Sequence, residues 1–160
     1  VKIISGGQTG ADRAALDAAR TLGFETGGWA PLGYRTDEGD DPSLAEYGLK
    51  QTQTRDYPTR TRLNVKSSDA TVIFMKRRSA GCALTYRACQ GYGKPCLILT
   101  PEGDPKRLLR FVVENRVKTL NVAGHRERTC PGIYASVYNI VINAFKGVAG
   151  AIDNPTSDDM

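Results

Sequence analysis

The sequence predicts one α/β domain, a doubly wound and mostly parallel sheet with helices on both faces. Three observations predict it. Short β-branched or aliphatic runs alternate with helix-length segments along most of the chain, an order that implies right-handed crossovers between parallel strands. The strand runs are apolar stretches bounded by glycine or proline, as expected of strands covered on both faces. Finally, 160 residues are enough for one buried core, and no internal repeat or linker divides them.

The elements follow in order. Residues 1–5 form a short run broken by Gly6-Gly7, a strand entering a tight turn. Residues 11–22 are helical: Ala11, Ala14, Ala15, Ala18, Ala19 and Leu22 share one face, and Gly23 supplies the stop. A face of small alanines lets that helix lie close to its neighbours. Residues 24–30 make a weak second strand interrupted by Gly27-Gly28, and residues 31–42 a polar loop too long for a mere connector. A helix over 58–66 opens on Pro58. Residues 70–75 are the clearest strand, followed by a loop over 76–81 and a helix over 82–90 that ends before Gly91 and Gly93. A strand at 96–99, a helix at 105–116, a strand at 119–122 and a helix at 131–146 complete a Rossmann-like domain over residues 1–150. Residues 151–160 read as a polar, disordered tail.

Composition narrows the function classes. The chain carries 22 basic and 17 acidic residues, a net charge of +5 and a pI near 9.1. That balance favours an anionic partner. The strongest basic cluster is only Lys76-Arg77-Arg78, too short for a nucleic-acid patch. No run reaches the length of a membrane span and no signal-peptide pattern opens the chain, so a cytoplasmic protein is expected. The start at Val1 leaves room for an upstream segment trimmed from the chain. Cys82, Cys89, Cys96 and Cys130 include no C-x-x-C pair and read as reduced thiols. With His125 as the one histidine, no metal site is expected.

Chemistry in such a sheet gathers beyond the carboxyl ends of the strands. Three strand exits here have distinctive sequence. The first joins strand to helix through Gly6, Gly7, Gln8, Thr9 and Gly10, with Arg13 one turn into the helix. The glycines allow the backbone to approach a ligand, and the helix start presents N–H groups to an anion. Thr9 could cap the helix or meet a phosphate oxygen, and a purely structural turn is the weaker alternative to ligand binding. It is neither the G-x-G-x-x-G fingerprint nor a Walker loop. The second exit, residues 76–81, carries Ser79 and Gly81 before a helix holding Thr85. The third carries Gly124, His125 and Arg126. The acidic loop residues Asp37, Glu38, Asp40 and Asp41 could bind a hard cation, but read better as a soluble lid.

At these turns the chain resembles a family. Ser5-Gly-Gly-Gln-Thr-Gly-Ala-Asp-Arg13, Gly27-Gly28-Trp29, Arg60-Thr61-x-x-Asn64-Val65-x-x-Ser68-Asp69-Ala70-Thr71, and Asn121-Val122-Ala123-Gly124 with Pro131-Gly132-Ile133-Tyr134 resemble the molybdenum cofactor carrier proteins, up to about residue 147. The resemblance implies a Rossmann-like homo-oligomer, a tetramer, that binds and protects molybdenum cofactor. It would pass this phosphate-bearing pterin to molybdenum enzymes without changing it. The resemblance also implies that phosphate and pterin contacts come from the first turn, Arg13, the 79–85 turn and Gly124-His125-Arg126. Two departures stand out. Gly81-Cys82-Ala83 replaces an expected Gly-Gly-Thr, and His125-Arg126-Glu127-Arg128 replaces Pro-Arg-Glu-Ser.

The chain is similar also to the lonely-guy phosphoribohydrolases, whose motif carries a catalytic glutamate. Here the matching stretch after Gly81 reads Cys-Ala-Leu-Thr-Tyr-Arg. A non-catalytic carrier is therefore expected, ahead of a nucleotide hydrolase or a nucleotide-sensing module. The anion is expected over the Gly6–Gly10 turn.

Overall fold

The computed structural model describes residues 1–147. Its main sheet has six strands, β1 (Lys2–Ile4), β2 (Glu25–Ala30), β5 (Leu49–Gln51), β6 (Ala70–Phe74), β7 (Cys96–Leu99) and β8 (Thr119–Gly124). Their order is β5-β2-β1-β8-β6-β7, and every pairing is parallel. The chain builds outward from β1 to β2 and β5, crosses to β6 and β7, then returns to lay β8 between β1 and β6. That return places the carboxyl ends of β1, β8 and β6 side by side. The tail expected over residues 151–160 lies outside the described residues.

Helices α1 (Ala11–Leu22), α4 (Pro105–Glu114) and α5 (Ile133–Phe145) cover one face; α2 (Tyr57–Lys66) and α3 (Ala80–Tyr92) cover the other. The alanine face read from the sequence does what its size allows. Ala14, Ala15, Ala18 and Ala19 are wholly buried, and α1 packs closely along α5. The larger core cluster joins these alanines to Ile3, Val72, Phe74, Leu120, Val137 and Phe145.

The long loop after β2 is more structured than its polar sequence predicts. It forms a two-stranded antiparallel ribbon, β3 (Arg35–Thr36) and β4 (Gly39–Asp40), then a 3-10 turn (Pro42–Tyr47). Leu44 and Tyr47 of that turn pack with Leu16, Ala30 and Leu49 in a second, smaller core. The loop is thereby tied down over the amino end of α1. Strand β5 follows it as the sheet edge, pairing Leu49, Lys50 and Gln51 with Gly28, Trp29 and Ala30.

Helix α2 is set against β2 by Asn64. Its amide oxygen accepts from the Trp29 N–H at 2.8 Å, and its amide nitrogen donates to the Trp29 carbonyl at 3.0 Å. Asp56 caps the same helix, accepting from the Thr59 N–H at 2.9 Å. These two fixings hold Tyr57 and Arg60, one turn apart, above the strand exits.

Candidate functional site

His125 ties the three strand exits together. Its backbone N–H donates to the Phe74 carbonyl at the end of β6 (3.2 Å), and its carbonyl accepts from the Ala11 N–H at the start of α1 (3.1 Å). Its Nε2 accepts from the Lys76 N–H at 3.1 Å. The side chain is buried.

The first turn is already occupied by an internal anion. The Asp12 carboxylate accepts from the Gln8 N–H (3.2 Å) and from the Gly6 N–H. The Gly7 N–H donates to Ser5 Oγ and the Thr9 N–H to Gln8 Oε1. Asp12 thus takes up the Gly6 and Gln8 amides of the turn over which an external anion is expected. Burial pushes the Asp12 carboxyl up to about 6, against the pull of Arg60, whose Nη1 lies 3.6 Å away. Burial likewise pulls the Arg60 guanidinium below its ordinary value, with Asp12 opposing.

The turn divides the residues singled out in the sequence between two cavities of about 400 Å³ each. Gly7, Thr9, Gly10 and Arg13 face a cavity under the acidic ribbon. Arg13 turns toward the acidic ribbon. It pairs with Asp41 at 2.8 Å, reaches Asp17 at 3.5 Å and Tyr47 Oη at 3.2 Å, and so holds the ribbon to α1. Thr9 does not cap the helix; its hydroxyl donates to Asp37 at 2.8 Å. Among the described residues no cluster of three or more ligand-type side chains could hold a metal ion.

The second cavity gathers Gln8, Ser79, Gly81, Thr85, Gly124, His125 and Arg126. Gly6 lies beneath it, packed on Arg60. Helix α3 points its amino end into this space. Ser79 caps it, accepting from the Cys82 N–H at 3.2 Å, and the Thr85 hydroxyl donates to the Gly81 carbonyl at 3.0 Å. A side chain at Gly81 would meet nothing within 4 Å, so the first turn of α3 is open to a ligand and carries the positive end of the helix dipole.

Tyr57, Arg60 and Asp12 complete the wall, and the sequence reading did not place them there. Three guanidinium groups gather on the Tyr57 ring, those of Arg35, Arg60 and Arg126 at 4.6, 5.2 and 4.9 Å from its centroid. Among the described residues, Arg60 alone of these has a carboxylate within ion-pair distance. Two polar atoms here are buried without a partner, Gln8 Nε2 and Arg60 Nε. Buried donors are seldom left unmade in native proteins, and each such atom costs about 1–3 kcal/mol. Both residues contribute to the wall of this cavity. Asp12 and Arg60 did have a signal, since both stand inside motifs that carry the family resemblance.

Residues of the two departures from the resembled pattern meet in this cavity. Cys82 Sγ lies 4.0 Å from His125 Nδ1. Burial raises the Cys82 thiol and lowers the His125 imidazole, so the pair is neutral near pH 7. Among the described residues the single carboxylate lining the cavity is Asp12.

Comparison with known proteins agrees with this architecture. No helix of the described residues is long and apolar enough to cross a membrane. No curated protein matches the chain. A crystal structure of a protein from Syntrophus aciditrophicus SB, named a putative molybdenum carrier protein, superposes with a TM-score of 0.82. It is 37% identical and covers 90% of this chain and 93% of that one. The likeness to that putative molybdenum carrier protein extends over the whole fold. A family model matches residues 3–145, and by that match the chain belongs to the circularly permutated YpsA SLOG family.

Proposed function

We propose that the protein is a carrier for molybdenum cofactor, which it binds as cargo and leaves chemically unchanged. The observation that carries this reading is the pair of unmet buried donors, Gln8 Nε2 and Arg60 Nε, on a cavity that also holds Arg126 and the open start of α3. A phosphate-bearing pterin supplies what those groups lack. Its phosphate would sit between Arg60, Arg126 and the first turn of α3, and a pterin or phosphate oxygen would accept from Gln8. At about 400 Å³ the cavity falls within the usual range for small-molecule sites, about 300–1,000 Å³. The neighbour's name supports the same cargo. Delivery to molybdenum enzymes, a cytoplasmic location and a homotetramer belong to this reading; light scattering of the purified protein tests the last.

The direct test is native purification followed by metal and pterin analysis, then titration of cofactor into folded variants. A charge-assisted hydrogen bond contributes about 1.5–3 kcal/mol, so Arg126→Ala should weaken binding by roughly ten- to a hundredfold. Arg13→Ala should bind within about threefold of the parent, because Arg13 is spent on Asp41 and Asp17. Arg77→Ala should cost well under tenfold, as exposed charges contribute only about 0–1 kcal/mol. Loss of binding in Arg13→Ala with Arg126→Ala unaffected would move the site to the other cavity.

One observation favours a second reading. A buried carboxyl at about 6 beside a phosphate-type site, as Asp12 is, has the character of a general acid or base. That carboxyl is held by two backbone amides and Arg60, which ties it to the chain's own turn. Incubation with AMP should therefore release adenine no faster than a no-protein control. Release that disappears in Asp12→Asn would replace the carrier by a hydrolase.

A further inference from the structure

Two thiols outside the cavity face each other behind the edge of the sheet. Helix α3 stops at Gly93, and the Lys94 N–H donates to the Cys89 carbonyl at 2.9 Å, closing a tight turn. The Pro95 carbonyl then accepts from the Thr71 N–H at 3.1 Å, which starts β7 beside β6. The chain thus doubles back over residues 90–95 and brings Cys96 under the end of the helix it has just left. Leu97 and Leu99 pack into the core on the α4 side, so by alternation Cys96 points to the α3 side. Cys89 is buried from above, and the two sulfurs share a hydrogen bond.

The two sulfurs are not equivalent. Thr71 is the register partner of Cys96, and its Oγ1 accepts from Asn121 Nδ2 at 3.2 Å, which leaves its own hydrogen for the Cys89 sulfur. Lys94 is anchored by the carbonyls of Val65, Lys66 and Ser68 at the end of α2, which fixes its charge near the pair. The hydrogen bond from Cys96 pulls the Cys89 thiol below its ordinary value against burial, and Thr71 and Lys94 add to the pull. Cys96, the donor in that bond, is raised. A lowered thiol beside a second cysteine is the setting of reversible oxidation. Strand β7 is the outermost of its sheet and Cys96 is half-buried, so a small oxidant reaches the pair from the edge. Cys82 has no such setting, since burial raises its thiol and it faces His125.

We propose that Cys89 and Cys96 are a redox modification site, joined as an intramolecular disulfide by a peroxide, with Cys89 the attacking sulfur and Cys96 the resolving one. In the first step the Cys89 thiolate attacks a peroxide oxygen, the O–O bond breaks, hydroxide departs and the sulfur is left as a sulfenic acid. In the second, the Cys96 sulfur displaces the hydroxyl from Cys89, an S–S bond forms, and the Cys96 proton leaves with that hydroxyl as water. Two electrons pass from the sulfur pair to the peroxide, and a dithiol reductant returns them by thiol–disulfide exchange. The bond fastens the end of α3 to the edge strand, and the other end of that helix opens on the cavity. The inference stands apart from the carrier reading and holds whatever the cavity carries.

The test treats the fully reduced protein with graded hydrogen peroxide and reads its cysteines by mass. Pro95 blocks tryptic cleavage after Lys94, so one peptide beginning at Ala88 holds both cysteines. In the parent that peptide should lose two hydrogens, the free thiols should fall from four to two, and dithiothreitol should restore all four. Cys96→Ser lacks the resolving sulfur, so dimedone should label Cys89 and no disulfide should form within the peptide. Cys89→Ser should keep Cys96 free at doses that convert the parent. A parent peptide that gains oxygen, or keeps its mass across the whole dose range, overturns the proposal without any variant. Cys96 oxidised as fast in Cys89→Ser as in the parent overturns the assignment of Cys89 as the attacking sulfur.

Discussion

Arg60→Ala should destabilise the folded protein strongly at pH 8 and much less at pH 5. Among the described residues Arg60 is the one cation within ion-pair distance of Asp12, and the two side chains are 13% and 5% exposed. Removing one partner of a buried pair costs about 3–5 kcal/mol, because the other charge is left without compensation. Asp12 has a way out that depends on pH. Its folded value, about 6, already lies above its ordinary 3.8, so its proton-linked contribution is fully present below about pH 4 and fades as pH rises through 6. Without Arg60 the largest pull toward the charged form is gone, the folded value moves higher, and the loss extends into the neutral range. At pH 5 the carboxyl is protonated in the folded state of either protein, and the missing guanidinium leaves no bare charge. Urea unfolding at both pH values reads the difference directly. Adding Asp12→Asn to Arg60→Ala should flatten it, and a loss of equal size at pH 5 and pH 8 would mean that Arg60 stabilises by packing alone.

The same pair shows what sequence could and could not carry. Strand exits 1, 6 and 8 were legible because their glycines and polar residues break apolar runs, and β8 between β1 and β6 brings them together. Gln8, Ser79, Gly81, Thr85, His125 and Arg126 accordingly share one cavity. Side-chain direction was not legible. Arg13 lies four residues from Asp17 on one helix face, and the unpredicted ribbon brings Asp41 to the same guanidinium. Tyr57 and Arg60 belong to α2, which is remote in sequence from every strand exit and is brought over them by Asn64 on β2. Strand β5 was missed for a related reason. Leu49-Lys50-Gln51 has no β-branched residue, and its extended form comes from pairing with the β2 backbone.

Gly10→Ala should be among the most damaging single-methyl changes available, and Gly91→Ala should have the opposite sign. Gly10 is the residue before α1, at φ 83° and ψ −125°, a conformation closed to residues with a Cβ. Its α-carbon also lies against the exit of β8. A methyl there would meet the His125 carbonyl oxygen, the Glu127 nitrogen at 2.6 Å and the Arg126 carbonyl carbon at 2.8 Å. All three are backbone atoms, and none can swing aside as a side-chain tip would. Backbone strain of about 1–3 kcal/mol adds to overpacking of about 1–3 kcal/mol, a large share of the roughly 5–15 kcal/mol that holds a domain folded. Relief would come from parting the β1 and β8 exits, which would displace His125 and Arg126 together and weaken anion binding even in molecules that fold. Gly91 lies within α3, where an added Cβ meets nothing within 4 Å and φ is not positive. Alanine there should stabilise by about 0.5–1 kcal/mol by restricting the unfolded chain and favouring the helix. Thermal unfolding of the two variants beside the parent gives both signs in one experiment. A Gly10→Ala protein that melts with the parent would show that the two exits are not packed as closely as the site requires.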